Sequence, residues 1–147
     1  MVTFGYKYDA TDFQAALLIH QLRRIEKQHA MRQRVFERYQ KAFAHVPGIT
    51  FPSLAKNAVH SGHMFIVWVD PKKRDAIRDV MFKKGIQTSI HYDPIHLEPY
   101  YREAFGYKEG DFPIAERLGA STITLPTYSK LTKEQQKYVI DTLLSLV

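Results

Sequence analysis

Met64-Phe65-Ile66-Val67-Trp68-Val69-Asp70-Pro71 is the stretch that decides the class of fold. Six apolar residues in succession, several of them β-branched or aromatic, suit a strand buried on both faces. The Asp-Pro pair closes the run and places Asp70 at the N-cap and Pro71 at the first position of a helix. Ala76, Ile77, Val80 and Met81 supply the inner stripe of that helix, and Gly85 stops it. Beyond Gly85, Ile86, Thr88 and Ile90 alternate with Gln87, Ser89 and His91, which reads as a second strand over Ile86–Tyr92.

Downstream, Ser121–Leu125 reads as a third strand, ended by Pro126. Between the second and third strands lie a turn-rich loop over Pro94–Pro99, one helical turn over Tyr100–Phe105, and a short helix over Phe112–Leu118 with Pro113 near its start. Thr132-Lys133-Glu134-Gln135 is a capping box, in which the Thr hydroxyl and the Gln side chain satisfy each other's backbone N–H groups. The helix it opens runs to about Leu146, with Val139, Ile140, Leu143 and Leu144 facing inward.

Upstream, Ile49–Pro52 reads as a short strand behind the stop signal Pro47-Gly48. A second capping box, Thr11-Asp12-Phe13-Gln14, opens a helical pattern with no breaker until Pro47. An unbroken helix from Asp12 to Ala44 would be roughly 50 Å long, well beyond the ~30 Å width of a small domain. The helix therefore bends, near the polar stretch Glu26–Arg34, or runs beyond its own domain. Ala15, Ala16, Leu17, Leu18 and Ile19 make its first half apolar on more than one side, and such a helix calls for cover. Residues 1–46 are thus a lead-in segment with a long interdomain-type helix. Residues 47–147 form a small α+β domain with a largely antiparallel sheet of about three strands covered by helices.

Composition narrows the function. With 45% hydrophobic and 24% charged residues in 147, the chain is an ordinary soluble domain able to bury its own core. It has no cysteine, which excludes disulfides and thiolate metal sites and agrees with a cytoplasmic setting. No apolar run is long enough to cross a bilayer, so no membrane partner is expected. The net charge of +6 is spread among Glu and Asp almost everywhere. The basic run Arg23, Arg24, Lys27, Arg32, Arg34 and Arg38 is interrupted by Glu26 and Glu37, and it lacks aromatics arranged to stack bases. It reads as a solvated face, and no nucleic-acid partner is assigned.

No nucleophile elbow, P-loop or dinucleotide fingerprint is present. The pairs His60/His63 and His91/His96 fall short of the three or four ligands that zinc takes, so no metal site is assigned. The segment His91-Tyr92-Asp93-Pro94-Ile95-His96-Leu97 stands at a strand end, where binding groups commonly sit. His91 and Tyr92 can donate to anionic oxygens and His96 can move protons near neutral pH. The competing reading, that His96 caps the loop and Tyr92 packs, ranks ahead on these residues alone.

Four motifs, in order and spacing, change that balance. Gly5-Tyr6-Lys7-Tyr8-Asp9-Ala10-Thr11-Asp12-Phe13-Gln14-Ala15-Ala16 resembles the Gly-Tyr-Asn-Tyr-Arg-Met-Thr-Asp-Ile-Gln-Ala-Ala motif of the DegT/DnrJ/StrS sugar aminotransferases. Ile90-His91-Tyr92-Asp93-Pro94-Ile95-His96-Leu97-Glu98-Pro99-Tyr100-Tyr101 is similar to their His-Tyr-x-Pro-Leu-His-Leu-Gln-Pro-Tyr-Tyr segment. Gly110-Asp111-Phe112-Pro113-Ile114-Ala115-Glu116 looks like their Gly-Asp-Phe-Pro-Val-Ala-Glu, and Leu125-Pro126 with Leu131-Thr132-Lys133-Glu134-Gln135 matches their usual ending.

The resemblance covers essentially the whole chain and implies the C-terminal, small domain of a fold type I enzyme dependent on pyridoxal phosphate (PLP). Such enzymes work as homodimers and pass an amino group, usually from glutamate, to a keto sugar carried on a nucleotide. The resemblance places PLP and its Schiff-base lysine on a large domain that precedes the equivalent of Gly5. No catalytic residue and no bound PLP is therefore expected within this chain, and the domain alone is expected to be inactive. The missing large domain, the nucleotide sugar and a second subunit are its expected partners. Lys7 stands where the motif's Asn reaches the cofactor phosphate of the neighbouring subunit, and a cation can hold that phosphate. Asp9 replaces the motif's Arg and reverses its charge. His91, Tyr92 and His96 match the loop on the substrate side. The alternative is a non-catalytic binding or complementation module with the same fold.

Overall fold

The computed structural model describes residues 9–147. The elements are α1 (Asp12–Leu22), α2 (Ile25–Phe43), β1 (Phe65–Trp68), α3 (Arg74–Lys83), a 3-10 turn (Ile95–Leu97), α4 (Pro99–Phe105), α5 (Pro113–Ser121), β2 (Thr122–Leu125) and α6 (Lys133–Leu144). The α+β class holds, and β1 and β2 pair antiparallel with Phe65 opposite Leu125 and Trp68 opposite Thr122.

Two expected strands shrink to single bridges. Thr50 exchanges both backbone hydrogen bonds with Trp68, and Ser89 does the same with Thr124. The two flanks stop there for different reasons. Pro52, two residues after Thr50, has no N–H to extend a ladder. At His91 the side chain, not the backbone, continues the pairing, with Nδ1 2.8 Å from Thr124 Oγ1.

Alternation along the strands divides the sheet into two faces. Phe65, Val67, Ile123 and Leu125 are buried on the inner face. They join Val35, Phe36, Tyr39 and Phe43 of α2, Ile77 and Met81 of α3, and Val139 and Leu143 of α6 in one core. Tyr39 is fully buried, yet its hydroxyl donates to the Pro126 carbonyl at 2.9 Å, so no polar atom is stranded. Burial holds that phenol well above its ordinary pKa. Gln136 is equally enclosed; it donates to the Val35 carbonyl at 2.7 Å and accepts from Arg38, which ties α6 to α2. The outer face carries Ile66, Trp68, Thr122 and Thr124, and it is the face that supports the candidate site.

The long helical pattern does break, but at Arg23–Arg24, ahead of the polar stretch expected to bend. The Arg24 N–H donates to Gln21, three residues back, which tightens the last turn of α1. The break separates a segment that docks from one that does not: α2 buries four side chains and α1 none. Helix α3 begins three residues later than Asp70-Pro71 suggested. Asp70 accepts from the Lys72 N–H at 2.9 Å, a side-chain turn that delays the helix to Arg74. Gly85, at φ +77, ends it as expected. Both capping boxes form, at Thr11/Gln14 and at Thr132/Gln135. No helix among the described residues is long and apolar enough to cross a membrane.

Candidate functional site

The outer face of the sheet is the floor of a cavity of about 680 Å³. Ile66, Trp68 and Thr122 come from the strands, Leu118 and Gly119 from α5, and His91 to Ile95 with Glu98 from the loop that follows the Ser89 bridge. Of the residues singled out in the sequence, the structure brings His91 and Tyr92 together here. Their rings meet edge to face at 4.8 Å across a cis peptide. His91 is fixed through Nδ1 by the Thr124 hydroxyl, which can serve either tautomer and leaves Nε2 as the ring atom toward other partners. Tyr92 is 73% exposed.

His96 is set apart. It is 5% exposed and does not line the cavity. Its Nε2 lies 2.9 Å from Glu116 Oε1, and its ring packs against Phe112 and Tyr107. Glu116 also accepts from the Gly110 and Phe112 N–H groups, at 3.0 and 3.2 Å. The Gly110 N–H, ahead of the His96 and Phe112 contacts, holds this carboxyl below its ordinary range, against a smaller opposing effect of burial. His96 therefore pins the loop, which is the competing role weighed from the sequence. The Lys7 assignment lies outside the described residues.

The lining has a distinct chemistry. Trp68 and Ile66 offer an apolar floor, while Asp93 and Glu98 offer carboxylates. Among the described residues, no lysine or arginine lines it. Thr122 is 1% exposed, and its hydroxyl finds no hydrogen-bond partner among the described residues.

Two residues of this region have no role assigned from the sequence: Glu116, seen only as part of a motif, and Gly119. Glu116 carried a signal: an acid in the first turn of a helix that opens with proline, where it can reach back to unpaired backbone N–H groups. Gly119 carried none, since a glycine inside a helix reads only as a weak position.

Comparison with known proteins gives this geometry its context. Residues 1–144 match the model of the DegT/DnrJ/EryC1/StrS aminotransferase family. The spore coat polysaccharide biosynthesis protein SpsC of Bacillus subtilis is 36% identical over 148 residues, covering 97% of this chain and 38% of SpsC. Among solved structures, DesV of S. venezuelae, in complex with a ketimine intermediate, superposes with a TM-score of 0.82 at 31% identity. That match covers 90% of this chain and 35% of DesV. The PLP form of Spr1654 from Streptococcus pneumoniae superposes with a TM-score of 0.87 at 30% identity, over 99% of this chain and 38% of that one. The chain thus spans a little over a third of the length of the relatives it matches, and over that span it belongs to the DegT/DnrJ/EryC1/StrS aminotransferase family.

Proposed function

We propose that this chain is the C-terminal small-domain share of a PLP-dependent nucleotide-sugar aminotransferase and is inactive by itself. In this reading His91 and Tyr92 contact substrate and His96 holds their loop in place. The observation that carries the reading is the family match over residues 1–144 in a chain that covers only about 38% of its relatives. The described residues do not fit a PLP site of their own. Among the described residues the His91–Tyr92 cavity offers no lysine amine for an imine and no lysine or arginine for a phosphate, and its two carboxylates would repel one. In this reading the cofactor is held by the rest of a larger protein, where it would supply the electron sink for amino transfer. Lys7 is the residue proposed to reach a neighbouring subunit's cofactor phosphate.

The cavity suits the sugar end of the substrate. An apolar ring floor accepts the C–H face of a pyranose, and Asp93, Glu98 and Tyr92 can bond its hydroxyls. The exposed apolar residues of α1 would meet the large domain or a second subunit, and a cytoplasmic setting agrees with the cysteine-free composition.

The test is a chimera in which this chain replaces the matching segment of DesV, reconstituted with PLP. Amino transfer from glutamate to the cofactor, followed by absorbance, is expected in the chimera and not in the 147-residue chain alone. His91→Ala is expected to lower kcat/KM for a nucleotide-linked keto sugar by about tenfold or more, the loss of one well-placed polar contact. A folded chimera that binds PLP yet never transfers the amino group would sink the proposal.

A further inference from the structure

We infer that helix α5 is the platform that sets the position of the loop bearing His91 and Tyr92, with Gly119 and Glu116 as its positioning residues. The two lie three residues apart, on one face of the helix, and each holds a different part of the same loop. Gly119 meets the loop's front half. A Cβ built on it would stand 2.7 Å from Pro94 Cδ, 3.0 Å from Pro94 Cγ and 3.2 Å from the Tyr92 carbonyl oxygen. Gly119 has ordinary helical backbone angles, so glycine is not needed there for conformation. What it supplies is closeness of approach between α5 and the loop.

Glu116 meets the loop's rear half. Its carboxylate gathers His96 from the 3-10 turn, and Gly110 and Phe112 from the segment leading into α5. His96 is thereby fixed two residues beyond Pro94, and the loop is pinned at two points one helical turn apart. Pro94 itself lines the cavity, as do Tyr92 and Gly119. Any atom added at 119 must lift Pro94 and the Tyr92 backbone off α5, because close-packed contacts of this kind transmit strain and do not absorb it. The height of the loop above the sheet, and so the mouth of the cavity, is gauged by the missing side chain of Gly119. Its importance for catalysis rests on the substrate-side reading above; its effect on the cavity does not.

Trp68 makes the effect measurable, since it is the chain's single tryptophan and lies on the cavity floor. Acrylamide quenching of its fluorescence reports how open that floor is. Trp68 also borders a neighbouring cavity near Thr50 and Arg117, so the reading is a comparison among variants. In the 147-residue chain, Gly119→Ala is expected to raise the quenching constant by roughly 1.5- to 2-fold as overpacking displaces the loop. Adding Pro94→Ala, which removes the ring atoms nearest the new methyl, is expected to bring the constant back toward that of Pro94→Ala alone. Glu116→Gln, which keeps the shape but loses the charge, is expected to give a smaller rise in the same direction.

A folded Gly119→Ala chain with unchanged quenching overturns the proposal. So does a rise that Pro94→Ala fails to relieve, because the strain then lies elsewhere than against the loop. If Gly119→Ala does not fold, folding restored in the double variant supports the platform and a double variant that stays unfolded refutes it. Titration of the DesV chimera with thymidine diphosphate glucose, read by calorimetry, separates this claim from the functional one. Normal quenching behaviour with no binding by the DesV chimera would remove the substrate reading and leave the platform standing.

Discussion

Helices α1 and α2 follow one another almost without a break, yet they meet opposite fates. Most residues of α1 are apolar, and it buries none of them. Phe13 is 75% exposed and Leu22 65%. Helix α2 is polar on average, with Lys, Arg, Gln and Glu through most of its length, and it buries Val35, Phe36, Tyr39 and Phe43. What separates them is arrangement. The four residues of α2 fall on one stripe that meets the inner face of the sheet. The apolar residues of α1 point several ways, and none of them is buried by the described residues. Burial follows from a stripe with a partner, and apolar content without one leaves a helix waiting for cover.

The largest expected effect tests that contrast directly. Phe43 packs near Phe65 and against Tyr39, with ring centroids 6.2 and 5.9 Å apart. Phe43→Ala should cost about 3–5 kcal/mol of stability in urea unfolding, through lost burial and the cavity left behind. Leu18→Ala should move the same transition by no more than about 0.5 kcal/mol, as surface changes do. A Leu18→Ala cost comparable to that of Phe43→Ala would mean that α1 is covered in solution. A midpoint that rises with protein concentration would then identify self-association as the cover.

The two capping boxes sharpen the contrast on a smaller scale, because the motif is the same and only the context differs. Thr132 caps α6, which carries Val139 and Leu143 into the core, so Thr132→Ala should cost about 1 kcal/mol in global unfolding. Thr11 makes the same bonds with Gln14 at 3.3 and 2.9 Å, but at the head of a helix with no buried face. Thr11→Ala should leave the global midpoint in place and speed hydrogen exchange at the Gln14 amide. Equal losses at the two sites would show that α1 unfolds together with the core.

The same distinction explains what was legible in the sequence. Apolar runs, capping boxes and breakers are local, so β1, β2, the two capped helices and the stop at Gly85 could be read directly. Where a local signal competes with a long-range one, the reading drifted. Asp70 makes its own turn before α3 starts. The long helix breaks at Arg23–Arg24, just ahead of the polar stretch, while its first buried side chain is Val35. The second expected strand, Ile86–Tyr92, pairs through the single Ser89 bridge, and His91 bonds the Thr124 side chain in place of the ladder. At the candidate site, the family resemblance and not the strand-end position singled out His91 and Tyr92, which line one cavity. A loop-capping His96 was the competing reading, but its partner Glu116, twenty residues further along the chain, was not assigned. Gly119 was least legible, because its meaning comes only from Pro94 lying against it.

The smallest expected effect concerns the Glu116 clamp, which lies between these extremes: better anchored than α1, less enclosed than the core. Its carboxyl is held below the ordinary 4.5, first by the Gly110 N–H and then by His96 and Phe112. A carboxyl depressed in the folded state stabilises that state fully above its unfolded pKa. The contribution is lost as pH falls through the lower, folded value. The clamp should therefore be complete at neutral pH and fade only in acid. Hydrogen exchange at the Gly110 and Phe112 amides, corrected for its intrinsic pH dependence, should lose protection there while Val67 and Ile123 in the sheet keep theirs. Glu134 is also held low, by its own N–H and the Thr132 hydroxyl, so the comparison needs Glu116→Gln. In that variant the acid-dependent loss at Gly110 and Phe112 should vanish, because a neutral amide has no charge to lose. Persistence of the loss in Glu116→Gln would assign it to Glu134 or another carboxyl and detach the clamp from the loop it is held to fix.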